Sequence, residues 1–357
     1  MKFVKEVRDG TPITYLSDEK NQYSFGYYSN NNWVDENRVV LLRWSNGEKD
    51  AERIVNDTLV LIDLKNETET ELVHEEKGIG ISTVFGNKVY YLLGALVGTE
   101  VYSYDIETKV KKLIYKVDDD TVRLALPHMT KDGRYLSWYI EYKNGQYGCL
   151  VIDLLTGKAE VPFTKSFLKP FNVANHFMIC PTNKDIIFFA HEGNTEYVTN
   201  RLWIYKKDKG IHALAKQRLD KEGNLIDCFG HECWAPDGKG LWFVKYPVSP
   251  EPPRGLCYVD IDGNQTDVVY GKYRYWHVCV SPNGKLLASD TQDEIYSGVC
   301  LINTETKEEK LLRKADVTWQ HPCHPHPTFS PDSKTLCYHE LYNDKITVGF
   351  INLENLI

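Results

Sequence analysis

Several features are scarce in this chain of 357 residues, and each scarcity excludes a class of protein. No stretch reaches the roughly 18 apolar, uncharged residues of a membrane-spanning helix, so no membrane partner is expected. The first ten residues, Met1-Lys2-Phe3-Val4-Lys5-Glu6-Val7-Arg8-Asp9-Gly10, lack the apolar run of a secretory signal. A basic excess is missing as well: 42 Lys and Arg stand against 50 Asp and Glu, a net charge of −8, which argues against nucleic acid as a partner. The nine cysteines are odd in number, lie between Cys149 and Cys337, and form no C-x-x-C pair. Buried free thiols in a reducing compartment are therefore expected, and a cytoplasmic location with them. No G-x-S-x-G turn occurs, so the chain is not a propeller-bearing α/β hydrolase. What is plentiful is aromatic: 23 Tyr and 8 Trp against 3 Met, a bias that favours strands over helices.

A turn between two apolar runs recurs along the chain. It appears at Asp35-Glu36-Asn37, Gly86-Asn87, Asp132-Gly133, Asn183-Lys184, Asp237-Gly238, Asn283-Gly284 and Asp332-Ser333, with steps of 51, 46, 51, 54, 46 and 49 residues. Seven units of this length fill the chain. Each turn precedes an aromatic and β-branched run such as Leu241-Trp242-Phe243-Val244, which reads as a buried strand. A second hairpin follows about twenty residues later, as in Val151-Ile152-Asp153-Leu154-Leu155-Thr156-Gly157-Lys158. Four antiparallel strands per repeat of this size predict an all-β fold, a seven-bladed β-propeller. The last unit is one strand short, while Pro12-Ile13-Thr14-Tyr15-Leu16 is an orphan strand at the start. Pairing the two closes the ring and hides the sheet edges, so residues 1–357 are expected to form a single domain.

The fold alone says little about function; the histidines say more. His176, His231, His277 and His326 each stand five residues before a proline, Pro181, Pro236, Pro282 and Pro331, that is expected to precede the turn between the second and third strands of a unit. Equivalent positions in consecutive blades converge on the propeller axis. One explanation is a repeat consensus in which each ring caps a backbone group. It does not account for the last unit, where Gln320-His321-Pro322-Cys323-His324-Pro325-His326-Pro327 holds three imidazoles in six residues. His324 and His326 are two apart, so in an extended segment they point the same way. Clustered imidazoles with few thiolates suit manganese, iron, nickel or zinc rather than calcium or magnesium. The ligand set read from this pattern is His277, His324 and His326, with His321 as a fourth, and Cys323 as a packing residue. Tyr275 and Trp276 are either sugar-stacking rings or blade core.

With these residues in view, the sequence resembles the oligogalacturonate lyase family. The matching stretches are Ala190-His191-Glu192-Gly193 with Asn200-Arg201-Leu202-Trp203, then His231-Glu232-Cys233-Trp234-Ala235-Pro236-Asp237-Gly238, then His277, and His324-Pro325-His326-Pro327 before Phe329. The resemblance implies a cytoplasmic propeller with a divalent metal on its axis, manganese being the expected ion and nickel, iron or zinc the alternatives. It implies metal-assisted β-elimination of short oligogalacturonides to an unsaturated uronate or 5-keto-4-deoxyuronate, in pectin breakdown. His231 would be the base that removes the C5 proton, and Arg201 would neutralise carboxylate or enolate charge. His191, Glu192 and His176 would line the substrate pocket. The family carries a glutamine three residues before the first histidine of the His-Pro-His segment. Here His321 holds that place, with Gln320 one position earlier, and either is the fourth ligand. Two readings compete: a non-catalytic TolB- or WD-like binding propeller, and a lyase for another uronate-containing oligosaccharide. A small oligouronate is the expected partner, and monomer and homodimer both stay open.

Overall fold

A computed structural model describes residues 1–45, 57–94, 98–320, 323–354 and 356. Within them the chain is all β, and no helix is long and apolar enough to cross a membrane. The strands run in chain order as a hairpin and seven sheets. The hairpin is β1 (Lys2–Arg8) and β2 (Thr11–Ser17); then come β3 (Asn21–Ser24), β4 (Arg38–Ser45), β5 (Thr58–Asp63) and β6 (Thr68–His74). A second sheet holds β7 (Thr83–Phe85), β8 (Lys88–Leu93), β9 (Glu100–Asp105) and β10 (Lys111–Lys116). The third holds β11 (Thr121–Met129), β12 (Tyr135–Tyr142) and β13 (Tyr147–Asp153), with the short β14 (Ala159–Glu160) and β15 (Thr164–Lys165) both paired to β13. The fourth is β16 (Val173–Cys180), β17 (Asn183–Glu192), β18 (Leu202–Lys206) and β19 (Gly210–Ala213), and the fifth is β20 (Phe229–Trp234), β21 (Gly240–Lys245) and β22 (Gly255–Asp260). In the fifth, bridges from Leu256 to Tyr270 and from Val259 to Gln265 stand where a fourth strand would run. The sixth is β23 (Tyr275–Val280), β24 (Leu286–Thr291), β25 (Ser297–Asn303) and β26 (Glu309–Ala315); the seventh is β27 (Thr328–Phe329), β28 (Thr335–Tyr342) and β29 (Lys345–Asn352). These are the blades of a seven-bladed β-propeller, antiparallel throughout.

Backbone contacts group the chain into two compact units, residues 1–118 with 281–357, and residues 119–280. In the first unit, β2 pairs with β29 through Thr14–Phe350 and Tyr15–Gly349, so the N-terminus completes the last sheet in the order β1-β2-β29-β28-β27. The sequence reading expected one closing strand; the structure supplies two. The signal was Asp9-Gly10, whose φ angles of 53° and 80° make the left-handed hairpin turn that Asp-Gly favours. Arg313 on β26 fixes this hairpin: its guanidinium meets Asp9 in that turn at 2.8 Å, Asp316 at 3.0 Å and the buried Glu340 of β28 at 3.0 Å.

Middle strands carry unbroken apolar runs because both faces of a blade are covered by neighbouring sheets. β13 is buried from Tyr147 to Ile152 and β25 from Ser297 to Ile302, whereas the outer β10 is mostly exposed. In the second unit Met178, Phe188, Ile204, Leu241, Phe243 and Val259 form one core cluster, and Tyr139, Phe177, Ile187 and Phe189 another. The high aromatic content is accounted for here: Trp138, Tyr139 and Phe177 are fully buried in blade strands.

Two stability predictions follow from buried charge. Arg313→Ala leaves Glu340 without its cation, and breaking such a pair costs about 3–5 kcal/mol, read as a lower urea midpoint; an unchanged midpoint contradicts the role given to Arg313. His128 on β11 is held neutral by burial, with the charge of His176 adding to the effect, at about 4. Below an unfolded value near 6.5 the unfolded chain takes up a proton that the folded chain refuses, so stability falls from about pH 6.5 towards 4, by up to about 1.4 kcal/mol per pH unit. His128→Gln should flatten that slope in denaturation curves taken across the window.

Candidate active site

Pro181, Pro236, Pro282 and Pro331 stand before the turn between the first and second strands of their sheets, one strand earlier than expected, because each histidine lies on or just before the first strand of its sheet. The first strands of three sheets break at the same place, and the segment before β27 bends likewise. Leu126, His176, His231 and His326 have φ of 48°, 52°, 53° and 43°. The ladder skips there, between Ala125 and His128, Asn175 and Met178, and Gly230 and Cys233. Each is a bulge that releases two adjacent side chains from the sheet's alternation, a device common next to active sites. Leu126 shows that the bulge belongs to the strand and not to the imidazole. His277 takes the equivalent place on β23 without a positive φ.

On β20 the bulge releases His231 and Glu232 together. His231 donates from Nδ1 to the Trp276 carbonyl at 2.9 Å, with the Tyr246 hydroxyl also 2.9 Å from Nδ1. This arrangement puts the proton on Nδ1 and makes Nε2 the basic nitrogen. The ring lies 3.9 Å from that of His277. Burial, followed by the charges of His277 and Arg201, holds His231 well below its ordinary value, so it is neutral at physiological pH. Gly230 makes this packing possible, because a Cβ there would collide with the Tyr246 hydroxyl.

Glu232 turns the other way and is wholly buried. Its Oε1 accepts from Arg201 Nε at 2.8 Å, while Glu192 accepts from both terminal nitrogens at 3.2 and 3.4 Å. Arg201, at the head of β18, is itself 4% exposed. Its backbone is anchored by Gln217, which takes the Arg201 N–H at 2.7 Å and donates to the Asp227 carbonyl at 2.7 Å. Burial lifts the Glu192 carboxyl, but Arg201 outweighs it and leaves the group below its usual range. His176 stands 3.7 Å from Glu192, a charge contact too long for a hydrogen bond. His191 stacks on Phe167 at 3.7 Å and donates from Nε2 to the Phe171 carbonyl at 2.6 Å, beside Arg201 in sequence pairing but fixed by its own neighbours.

The sheet β23–β26 is continuous across residue 280, and on it His277 and Asp290 occupy neighbouring strands. Ligand atoms of His277, Asp290 and His326 lie within 4.8 Å of one another. Donors on opposite sides of a divalent ion with bonds of about 2.0–2.2 Å are about 4.3 Å apart, so two imidazoles and a carboxylate at this spacing fit such an ion. Asp290 is fully buried and also accepts the His326 backbone N–H at 3.2 Å. His324 stands outside this group, its ring 5.4 Å from that of His326. His321 lies outside the described residues. Cys323 is buried and its thiol is pushed up by that burial.

Asp290 escaped the sequence reading, although a signal existed. Eight residues after Pro236, Pro282 and Pro331 stand Val244, Asp290 and His339, so two polar residues occupy a place where burial favours valine. His339 is held by Phe25, stacked at 3.8 Å, and donates to the His324 carbonyl at 3.2 Å; it positions the His-Pro-His segment. Tyr27 and Tyr28 also reach this segment, their rings 5.1 and 5.8 Å from His326. Tyr275 is 1% exposed and belongs to the core, whereas Trp276 is half-buried, edge-on to His231.

The chain is similar to the oligogalacturonate lyases. It is 24% identical over 324 residues to the oligogalacturonide lyase of Pectobacterium atrosepticum, covering 78% of each chain. With the oligogalacturonate lyase of Dickeya dadantii it shares 22% over 321 residues, again 78% of each. No family model matches. A solved oligogalacturonate lyase in complex with manganese superposes with a TM-score of 0.83 at 17% identity, over 99% of this chain and 96% of that one, a likeness of fold.

Gly230→Ala should lower turnover by pushing Tyr246 away from His231 while the protein stays folded. Steady-state kinetics beside a thermal melt check this; wild-type turnover in a folded variant contradicts the role of the Tyr246 contact.

Proposed function

We propose that this chain is an oligogalacturonide lyase that cleaves short oligogalacturonides by β-elimination, with His231 as base. The carrying observation is the His231 ring, neutral, with its tautomer set by the Trp276 carbonyl and 3.9 Å from His277. The two curated lyase relatives support the reaction class.

The C5 proton of a uronate is α to a carboxylate, and its removal builds a second negative charge on the same fragment. His277, Asp290 and His326 would hold a divalent ion, with His324 and either His321 or Gln320 the further candidates. Such an ion, manganese in the similar solved structure, supplies Lewis-acid neutralisation of the uronate carboxylate. His231 Nε2 takes the C5 proton, and the C4–O bond breaks to release the shortened sugar. An anionic sugar beside His231 raises its proton affinity from the low value of the empty pocket, which improves it as a base. Arg201 is gripped by Glu232 at Nε, so its outer edge, where Glu192 now sits, is the edge for which a substrate carboxylate competes. His176 and His191 line that approach. The free state of all nine thiols supports a reducing, cytoplasmic location.

His231→Ala should lose about 10²- to 10⁴-fold in elimination rate on digalacturonate, followed by the absorbance of the conjugated unsaturated product, with metal content unchanged. His326→Ala should lose metal and activity together. A His231→Ala enzyme that keeps wild-type rate overturns the assignment of the base.

A further inference from the structure

The Arg201 side chain is held by Glu232 and Glu192, but its backbone is held by a residue outside the reaction. Pairing between β18 and β19 runs from Lys206–Gly210 to Trp203–Ala213 and stops two residues short of Arg201. The last bond on that side goes from the Leu214 N–H to the Leu202 carbonyl at 2.8 Å. Beyond it the Gln217 side chain takes over. Its Oε1 accepts the Arg201 N–H at 2.7 Å, and its Nε2 donates to the Val198 carbonyl at 3.2 Å and the Asp227 carbonyl at 2.7 Å. One amide thereby joins the loop before Arg201, Arg201 itself and the segment that enters β20, the strand of His231 and Glu232. The Asp227 end is firm: the residue is 3% exposed, and its carboxylate is gripped by the Arg218 guanidinium at 2.8 to 3.2 Å and by Lys245 of β21 at 2.5 Å.

We propose that Gln217 is a positioning residue of the substrate site, which aims the Arg201 guanidinium at an oligouronate carboxylate by tying Arg201 to Asp227. Arg201 and Glu232 belong to different sheets, so their 2.8 Å contact depends on the spacing of those sheets, and Gln217 spans the same gap. A substrate carboxylate that displaces Glu192 leaves the guanidinium with Glu232 alone. The direction of its planar fork then rests on the backbone that Gln217 fixes, and a fork aimed wrongly loses its paired hydrogen bonds to a carboxylate. The choice of an oligouronate as the ligand rests on the lyase reading; the tie between Arg201 and Asp227 does not.

The test measures KM and kcat for elimination of digalacturonate, together with its dissociation constant by calorimetry in a His231→Ala background, where no turnover is needed. Gln217→Met keeps the length of the side chain and loses its hydrogen bonds to Arg201, Val198 and Asp227. It should raise KM and the dissociation constant by about tenfold while kcat changes by less than about twofold. Gln217→Glu has the same shape and keeps the acceptor for the Arg201 N–H but loses the donors, and a similar loss is expected. In an Arg201→Lys background there is no fork to aim, so Gln217→Met should change either constant by less than about twofold. A full loss repeated in the lysine background marks a purely structural role and overturns the proposal. Wild-type constants in folded Gln217→Met and Gln217→Glu overturn it as well. Digalacturonate that binds with this dependence on Gln217, yet is not eliminated by the wild-type chain, contradicts the lyase reading and leaves the positioning role standing.

Discussion

The left-handed residue in the first strand of a blade is the constraint on which the site depends. An L-residue at φ near 50° costs about 1–2 kcal/mol, and the chain accepts it at Leu126, His176, His231 and His326. What the strain achieves is a change of direction. The extra residue at the bulge re-aims the strand, so that the His231 ring reaches the Trp276 carbonyl on one side while the Glu232 carboxylate reaches Arg201 on the other. One local distortion thereby fixes the His231 tautomer and anchors the Arg201 cation. Partner strands in the same sheets hold the strain in place, since β12 and β21, which pair with the bulged β11 and β20, are buried along most of their length.

Charge is handled locally. A chain of net charge −8 that takes an acidic sugar must build its attraction from a few groups. Arg201 supplies one positive charge, but Glu192 and Glu232 flank it. Glu232 is fully buried and acts as the anchor; Glu192, partly exposed, would be the partner that a substrate carboxylate displaces under the proposed function. The imidazole–carboxylate group of His277, Asp290 and His326 forms the second locus. Hard oxygen and borderline nitrogen donors in one group suit a divalent transition ion better than calcium or magnesium, which favour oxygen alone.

The propeller was legible in sequence because its signal is repeated seven times: a turn, an apolar strand and a second hairpin at steps near fifty residues. The closing strand was legible too, although the Asp9-Gly10 turn that adds a second one was passed over. In the site, the equivalence of His231 and His277 could be read from their prolines, and the two rings are neighbours. Asp290 was missed because a single acid inside Leu286-Leu287-Ala288-Ser289-Asp290-Thr291 carries no motif, and its meaning comes from the strand beside it. The bulge was missed because nothing in Gly230-His231-Glu232 announces a positive φ at a non-glycine residue. Arg201 carried no sign of its two carboxylates, which lie 9 residues before it and 31 after.

Anomalous diffraction from crystals equilibrated with manganese tests the site most directly. The predicted result is one strong peak about 2.2 Å from a nitrogen of His277, a carboxylate oxygen of Asp290 and a nitrogen of His326. A peak elsewhere in the protein, or none at full manganese saturation, would contradict it.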